Sequence, residues 1–198
     1  VSELPLFPLS AVLLPYGRVP LQIFEPRYLD LVRDCMKTSS PFGVVWIRRG
    51  AEVMRRGRAA PDLGDYGTCA RIVDWNQLPN NLLGITIEGG ERFDLQQTQT
   101  RANGLVVGQV EMQSAPAPVR VADEWLPLVD VLRSLEAHPH IQRMRLRVDY
   151  NNAWQVAYTL IQVLPLEESL KYELLGIDSI DLLVIELQVL LNQLSGEK

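Results

Sequence analysis

Leu4-Pro5-Leu6-Phe7-Pro8-Leu9, followed by Leu13-Leu14-Pro15 and then Pro20-Leu21-Gln22-Ile23-Phe24-Glu25-Pro26-Arg27-Tyr28, decides how the front of this chain folds. Proline locks its own φ and pushes the preceding residue toward extended backbone, so Pro5, Pro8, Pro15 and Pro20 mark strand-like segments. Phe7, Ile23 and Phe24 read as core. Pro26 suits the first position of a helix, and Leu29, Val32 and Met36 recur behind it at helical spacing. Glu25 and Arg27 flank that helix start, where a carboxylate favours the amide dipoles and a guanidinium can pair bidentately. The pair reads first as a staple of the fold, with contact to a ligand as the alternative.

Outward from this stretch, the first half reads as short strands. Gly43-Val44-Val45-Trp46-Ile47 is an apolar run behind a Ser39-Ser40-Pro41 turn signal. Leu83, Ile85 and Ile87 alternate with Gly84, Thr86 and Glu88, the period of a half-buried strand. Gly89-Gly90 predicts a tight turn into Arg92-Phe93-Asp94-Leu95. Leu105 to Met112 repeats the alternation, with Gly108 where backbone can approach closely. Ala115-Pro116-Ala117-Pro118 is the clearest linker.

Beyond it the period changes from two to about 3.6. Asp123 is the expected cap of a helix with Trp125, Leu128, Val129, Leu132 and Leu135 on its apolar face. Asn152 is the expected cap of a second, Leu166 to Leu175 forms a third ended by Gly176, and Asp178 opens the last. That last helix is apolar on nearly every side, so it sits at the centre of a bundle or forms half of an interface. Ile141 to Val148 alternates like a strand but is short enough to be helical. The expectation is two parts, 1–114 and 119–198.

Composition narrows the function. The 198 residues carry a formal net charge of -5, which disfavours nucleic acid as a whole-protein partner. The opening has no basic n-region with an unbroken apolar run, and no window approaches the ~20 apolar residues of a membrane span. Cys35 and Cys69 read as reduced, semi-buried residues, so the cytoplasm is the expected compartment.

The opening motifs resemble the Lon amino-terminal, substrate-binding domain family, including its free-standing bacterial members. Gly67-Thr68-Cys69-Ala70, Gly89-Gly90-Glu91-Arg92-Phe93, Leu164-Pro165-Leu166 and Glu173-Leu174-Leu175 are similar to further family motifs. Leu78-Pro79-Asn80-Asn81-Leu82 departs from it, standing where an Asp-Gly hairpin is usual. The resemblance implies an α+β chain: a PUA-like β pseudo-barrel followed by an α-helical bundle subdomain. It also implies a non-catalytic module that engages unfolded or degron-bearing polypeptide without ATPase or peptidase parts.

The sequence carries no recognisable catalytic signature. There is no Walker-type phosphate loop and no Gly-x-Ser-x-Gly elbow. A Ser-Lys dyad needs a desolvated lysine beside its serine. The only lysines are Lys37, Lys171 and Lys198, and Lys171 is expected on a charged helix face. His138 and His140 read as a polar loop rather than metal ligands, and Asp62 and Asp65 as a loop without calcium spacing. No cofactor is expected. For peptide contact the candidates are Glu25, Arg27, Tyr28 and Asp30, at a helix start that offers charge and free amides. The alternative is RNA binding through Arg48, Arg49, Arg55, Arg56 and Arg58, against a solvated loop lacking aromatics for base stacking. Dimerisation through the 178–194 helix is a third possibility.

Overall fold

The computed structural model describes residues 1–54, 56, 57 and 59–196. The chain divides into two compact units, Val1–Ala115 and Pro116–Lys198, with the boundary inside the proline-rich linker.

The first unit contains β1 (Ser2–Leu9), β2 (Arg18–Ile23), α1 (Pro26–Thr38), β3 (Phe42–Arg49), β4 (Asp62–Gln77), β5 (Leu83–Thr100) and β6 (Val106–Met112). The sheet order is β2-β5-β4-β3-β1-β6, and β5 also pairs with β6. That extra pairing closes β5, β4, β3, β1 and β6 into a ring and leaves β2 attached through β5 alone. The β1–β3 pair is parallel and the others are antiparallel. Together with the helices that follow, this is an α+β fold.

Strand alternation divides β1 between two cores. Phe7 and Leu9 join Phe42, Ile87 and the inner face of α1 in the larger cluster, while Leu4 and Leu6 meet Phe93 and Val110 in the smaller one. The expected turn at Gly89-Gly90 does not form. Strand β5 runs straight through it for 18 residues, pairing with β2 on one side of the glycines and with β6 on the other. Gly89 serves close approach instead: a Cβ there would lie 2.1 Å from the Leu14 carbonyl oxygen. Gly89 accepts from the Tyr16 amide and donates to the Gly17 carbonyl, so the 14–17 segment is stitched to this strand. Gly108 faces the side chains of Leu95 and Leu6, with no backbone among its nearest neighbours.

Helix α1 begins at Pro26 as expected, but its buried face is rotated. Tyr28, Leu31, Val32 and Cys35 enter the core, Leu29 is half-buried, and Met36 and Phe24 are exposed. The error in the sequence reading is one of phase, because this helix carries apolar residues on two faces. Residues 78–82 close as a longer connection, with left-handed Asn80 and Asn81 and a Leu78 amide to Leu82 carbonyl bond of 2.8 Å.

The second unit holds α2 (Leu126–Glu136), α3 (Pro139–Gln142), α4 (Ala153–Val163), α5 (Glu168–Leu175) and α6 (Ile180–Gly196). Leu132, Tyr158, Leu160, Ile161 and Leu183 are fully buried within it. Asn152 caps α4 as expected, its Oδ1 accepting from the Trp154 amide at 3.2 Å. Asp123 opens a 3-10 turn instead of capping α2. At α6 it is Ser179 Oγ that accepts from the Leu182 amide, in place of Asp178. Gly176 ends α5 without a left-handed turn, at φ -79°. The 141–148 segment forms no strand. Last, α6 is two-faced: Ile180, Leu183, Val184 and Leu187 are buried, whereas Leu182, Ile185, Val189 and Leu194 are exposed.

Candidate functional site

The first turn of α1 carries a buried charge. Arg27 is only 7% exposed, an uncommon environment for a guanidinium, and every donor on it needs an acceptor. Nη1 donates to the Gly104 carbonyl at 2.9 Å, and Nη2 donates to the Glu52 carbonyl at 3.3 Å. Nη2 also meets the Glu25 carboxylate at 3.3 Å, which answers the charge. Nε is buried and has no hydrogen-bond partner among the described residues.

Aromatic stacking holds this group in place. The guanidinium lies over the Tyr28 ring, 4.5 Å from its centre, and Tyr28 in turn stacks on Phe7 at 4.0 Å and 14°. Burial pushes the Tyr28 hydroxyl up to about 12, opposed by the positive charge of Arg27. Phe7 comes from β1 and Arg27 from α1, so two distant parts of the sequence fix one side chain. The left-handed Gly104, at φ +87°, presents its carbonyl from the β5–β6 connection.

Arg27 and Tyr28 line a cavity of about 560 Å³. Its other walls are Pro8 of β1, Thr100 at the end of β5, Val106 at the start of β6, and residues of the 50–61 connection, among them Val53, Met54 and Pro61. The lining is apolar apart from Arg27, Tyr28, Glu52 and Thr100. A volume of this size with few polar groups is the usual form of a ligand site.

Of the four residues expected to contact peptide, Arg27 and Tyr28 stand on this cavity and Glu25 stands behind it as the counter-charge. Asp30 points elsewhere, pairing with Arg33 on the exposed side of α1. The 50–61 wall was missed by sequence reasoning, because Ala51, Ala59 and Ala60 carry no chemistry of their own. Its small residues, between Gly50 and Pro61, were the available signal.

Arg48 and Arg49 belong to β3 and Arg48 pairs with Asp65, while Arg56 is exposed. Arg55 and Arg58 lie outside the described residues. Asp62 and Asp65 are strand residues of β4, not loop residues. His138 Nδ1 accepts from the His140 amide, capping the short α3. Among the described residues there is no group of three or more His, Cys, Asp or Glu able to hold a metal ion.

Lys171 also differs from its expected place. It is buried, with its ammonium donating to the Gln162 carbonyl at 3.0 Å, and burial lowers its pKa while Glu168 opposes the shift. The contact ties the end of α4 to α5. Cys35 and Cys69 are free and buried, and burial pushes the Cys69 thiol up to about 11. Among the described residues, no helix is long and apolar enough to cross a membrane.

Residues 3–193 match the family described as the ATP-dependent protease La (LON) substrate-binding domain. A crystal structure of a Lon N-terminal domain protein from Xanthomonas campestris is similar over 96% of this chain and 98% of that one, at 35% identity and a TM-score of 0.75. The N-terminal domain of a Mycobacterium avium complex Lon protease shares the fold, with a TM-score of 0.61 over the full length of both chains and 15% identity. Lon protease 2 of Myxococcus xanthus is 32% identical over 91 residues, which are 46% of this chain and 11% of that protein. The match therefore spans about a tenth of that curated relative. The chain belongs to the LON substrate-binding domain family.

Proposed function

We propose that this member of the LON substrate-binding domain family binds unfolded or degron-bearing polypeptide, without breaking bonds in it, in the cavity at the start of α1. The family supplies the ligand class. One observation carries the placement: Arg27, whose buried Nε–H lacks a partner among the described residues, belongs to the wall of an otherwise largely apolar cavity. A buried donor left unpaired costs roughly 1–3 kcal/mol, and a ligand acceptor recovers that cost. A neutral amide carbonyl suits the position better than a carboxylate, because Glu25 already answers the guanidinium charge. An apolar client side chain would then rest against Val53, Met54 and Val106. The linker divides the labour between a strand domain, 1–114, that carries this site and a helical domain, 119–198. Two free thiols suit the reducing cytoplasm.

The test uses fluorescently labelled, reduced and carboxymethylated lactalbumin as an unfolded probe, followed by anisotropy at two ionic strengths. Binding should weaken about five- to tenfold in Arg27→Lys, since lysine keeps the charge but loses the Nε–H at this position. It should change little with salt, unlike a phosphate binder. Equal binding by the variant, or a collapse of affinity at high salt, overturns the reading.

A second reading concerns assembly. Leu182, Ile185 and Val189 recur along one exposed face of α6, which favours pairing of two copies through that helix. Light scattering tests it: a monomer at high micromolar concentration removes it.

A further inference from the structure

Among the strand segments of the first unit that have a neighbour on one side only are two that flank the first half of β5. One belongs to β2, which pairs only with β5 and carries Pro20 in its middle. Proline removes a backbone donor and blunts that edge against pairing. The other is the far end of β4. Pairing of β4 with β3 stops at Ala70 opposite Phe42, while its pairing with β5 continues to Gln77 opposite Leu83. Residues 71–77 thus have a sheet neighbour on one side only, and no proline protects them.

A trough runs beside this edge. Two cavities of about 420 Å³ each lie between α1 and β4 and share Met36 and Trp75 among their walls. Trp75 is 56% exposed and Met36 41%, both large for apolar side chains of a folded unit. Lys37 and Arg71 bring positive charge to the lining, where Arg33 is paired with Asp30 and Asp74 is the acidic member.

We propose that this trough is a second docking site, which accepts an extended acidic-apolar peptide as an added strand along residues 71–77 of β4. Backbone pairing at the open edge supplies affinity, and alternate apolar side chains fall between Met36 and Trp75. Acidic residues of the peptide meet Lys37 and Arg71. Seven edge residues at about 3.4 Å each match a peptide of similar length. Asp74 limits access, because its Oδ1 already accepts from the Trp75 amide at 2.9 Å. Strand addition at that position displaces the carboxylate. This site is separate from the Arg27 cavity and shares none of its lining residues.

The probe is an amide-capped heptapeptide alternating leucine with glutamate, titrated into the isotope-labelled full chain. The expected result is movement of the 71–77 amide signals and the Trp75 indole signal, with at least tenfold slower amide exchange in that segment. Trp75→Ala should weaken binding about tenfold without loss of fold, since that side chain is largely solvent-facing. Asp74→Ala should tighten binding a few-fold by freeing the edge. The same peptide N-methylated at alternate amides should fail to bind. Equal binding by the N-methylated peptide, signals that move only around Arg27, or a Trp75-dependent dimer without added peptide would each overturn the proposal.

Discussion

Arg27 in the strand unit and Lys171 in the helical unit are both buried cations, and the protein treats them differently. Lys171 has a compact ammonium held by one helix-end carbonyl. Arg27 presents a rigid fork to two backbone carbonyls and one carboxylate, is braced by two stacked rings, and still has a donor over. A cation that ties two helices together needs nothing further. One that is over-braced and under-satisfied beside a cavity suits the proposed role of meeting a ligand that arrives from outside. On the proposed function, burial alone does not mark a functional charge, and the remaining hydrogen-bonding capacity does.

The largest expected effect breaks the Arg27 side of this contrast. Arg27→Ala should cost about 3 kcal/mol or more in urea denaturation, because Glu25 is left without its partner and the Tyr28 stack loses a layer. A change below about 1 kcal/mol would mean that the bracing is cosmetic. Next comes alkaline stability. The raised Tyr28 and Cys69 groups keep their protons in the folded state while the unfolded chain releases them from about pH 9 to 10 upward. Stability is then intact below that point and falls as pH rises toward about 12, by on the order of 2–3 kcal/mol for each group. Tyr28→Phe should flatten the upper part of that fall. The smallest effect concerns Lys171→Met, which should change stability at neutral pH by about 1 kcal/mol or less. One hydrogen bond is lost, but a desolvated charge is relieved. A loss above about 3 kcal/mol would make Lys171 as constrained as Arg27 and erase the contrast.

Much of the fold was legible because its signals are local. Proline at 5, 8 and 20 and the alternation from Leu83 to Glu88 specify strands without help from distant residues. Asn152 caps a helix through an amide two residues away. The misses share a cause in long-range packing. Gly89-Gly90 has the chemistry of a turn, yet Leu14 approaches it from 75 residues away and the strand continues. Helix α1 has two apolar faces, and which one turns inward depends on Phe7 and Phe42. Lys171 looked solvated because only the fold brings the Gln162 carbonyl over it. At the candidate site, Arg27 and Tyr28 were visible from the helix start, whereas Gly104 and the 50–61 wall contribute backbone and small side chains that sequence chemistry does not flag.

The most direct test observes the Nε–H of Arg27 itself by nitrogen-15 NMR while carboxymethylated lactalbumin is added. A donor that gains a carbonyl partner should shift and exchange with water more slowly as the site fills, in step with the anisotropy titration. An Arg27 signal that stays unmoved at saturation, with the probe demonstrably bound, would contradict the assignment of this cavity as the place where polypeptide is held.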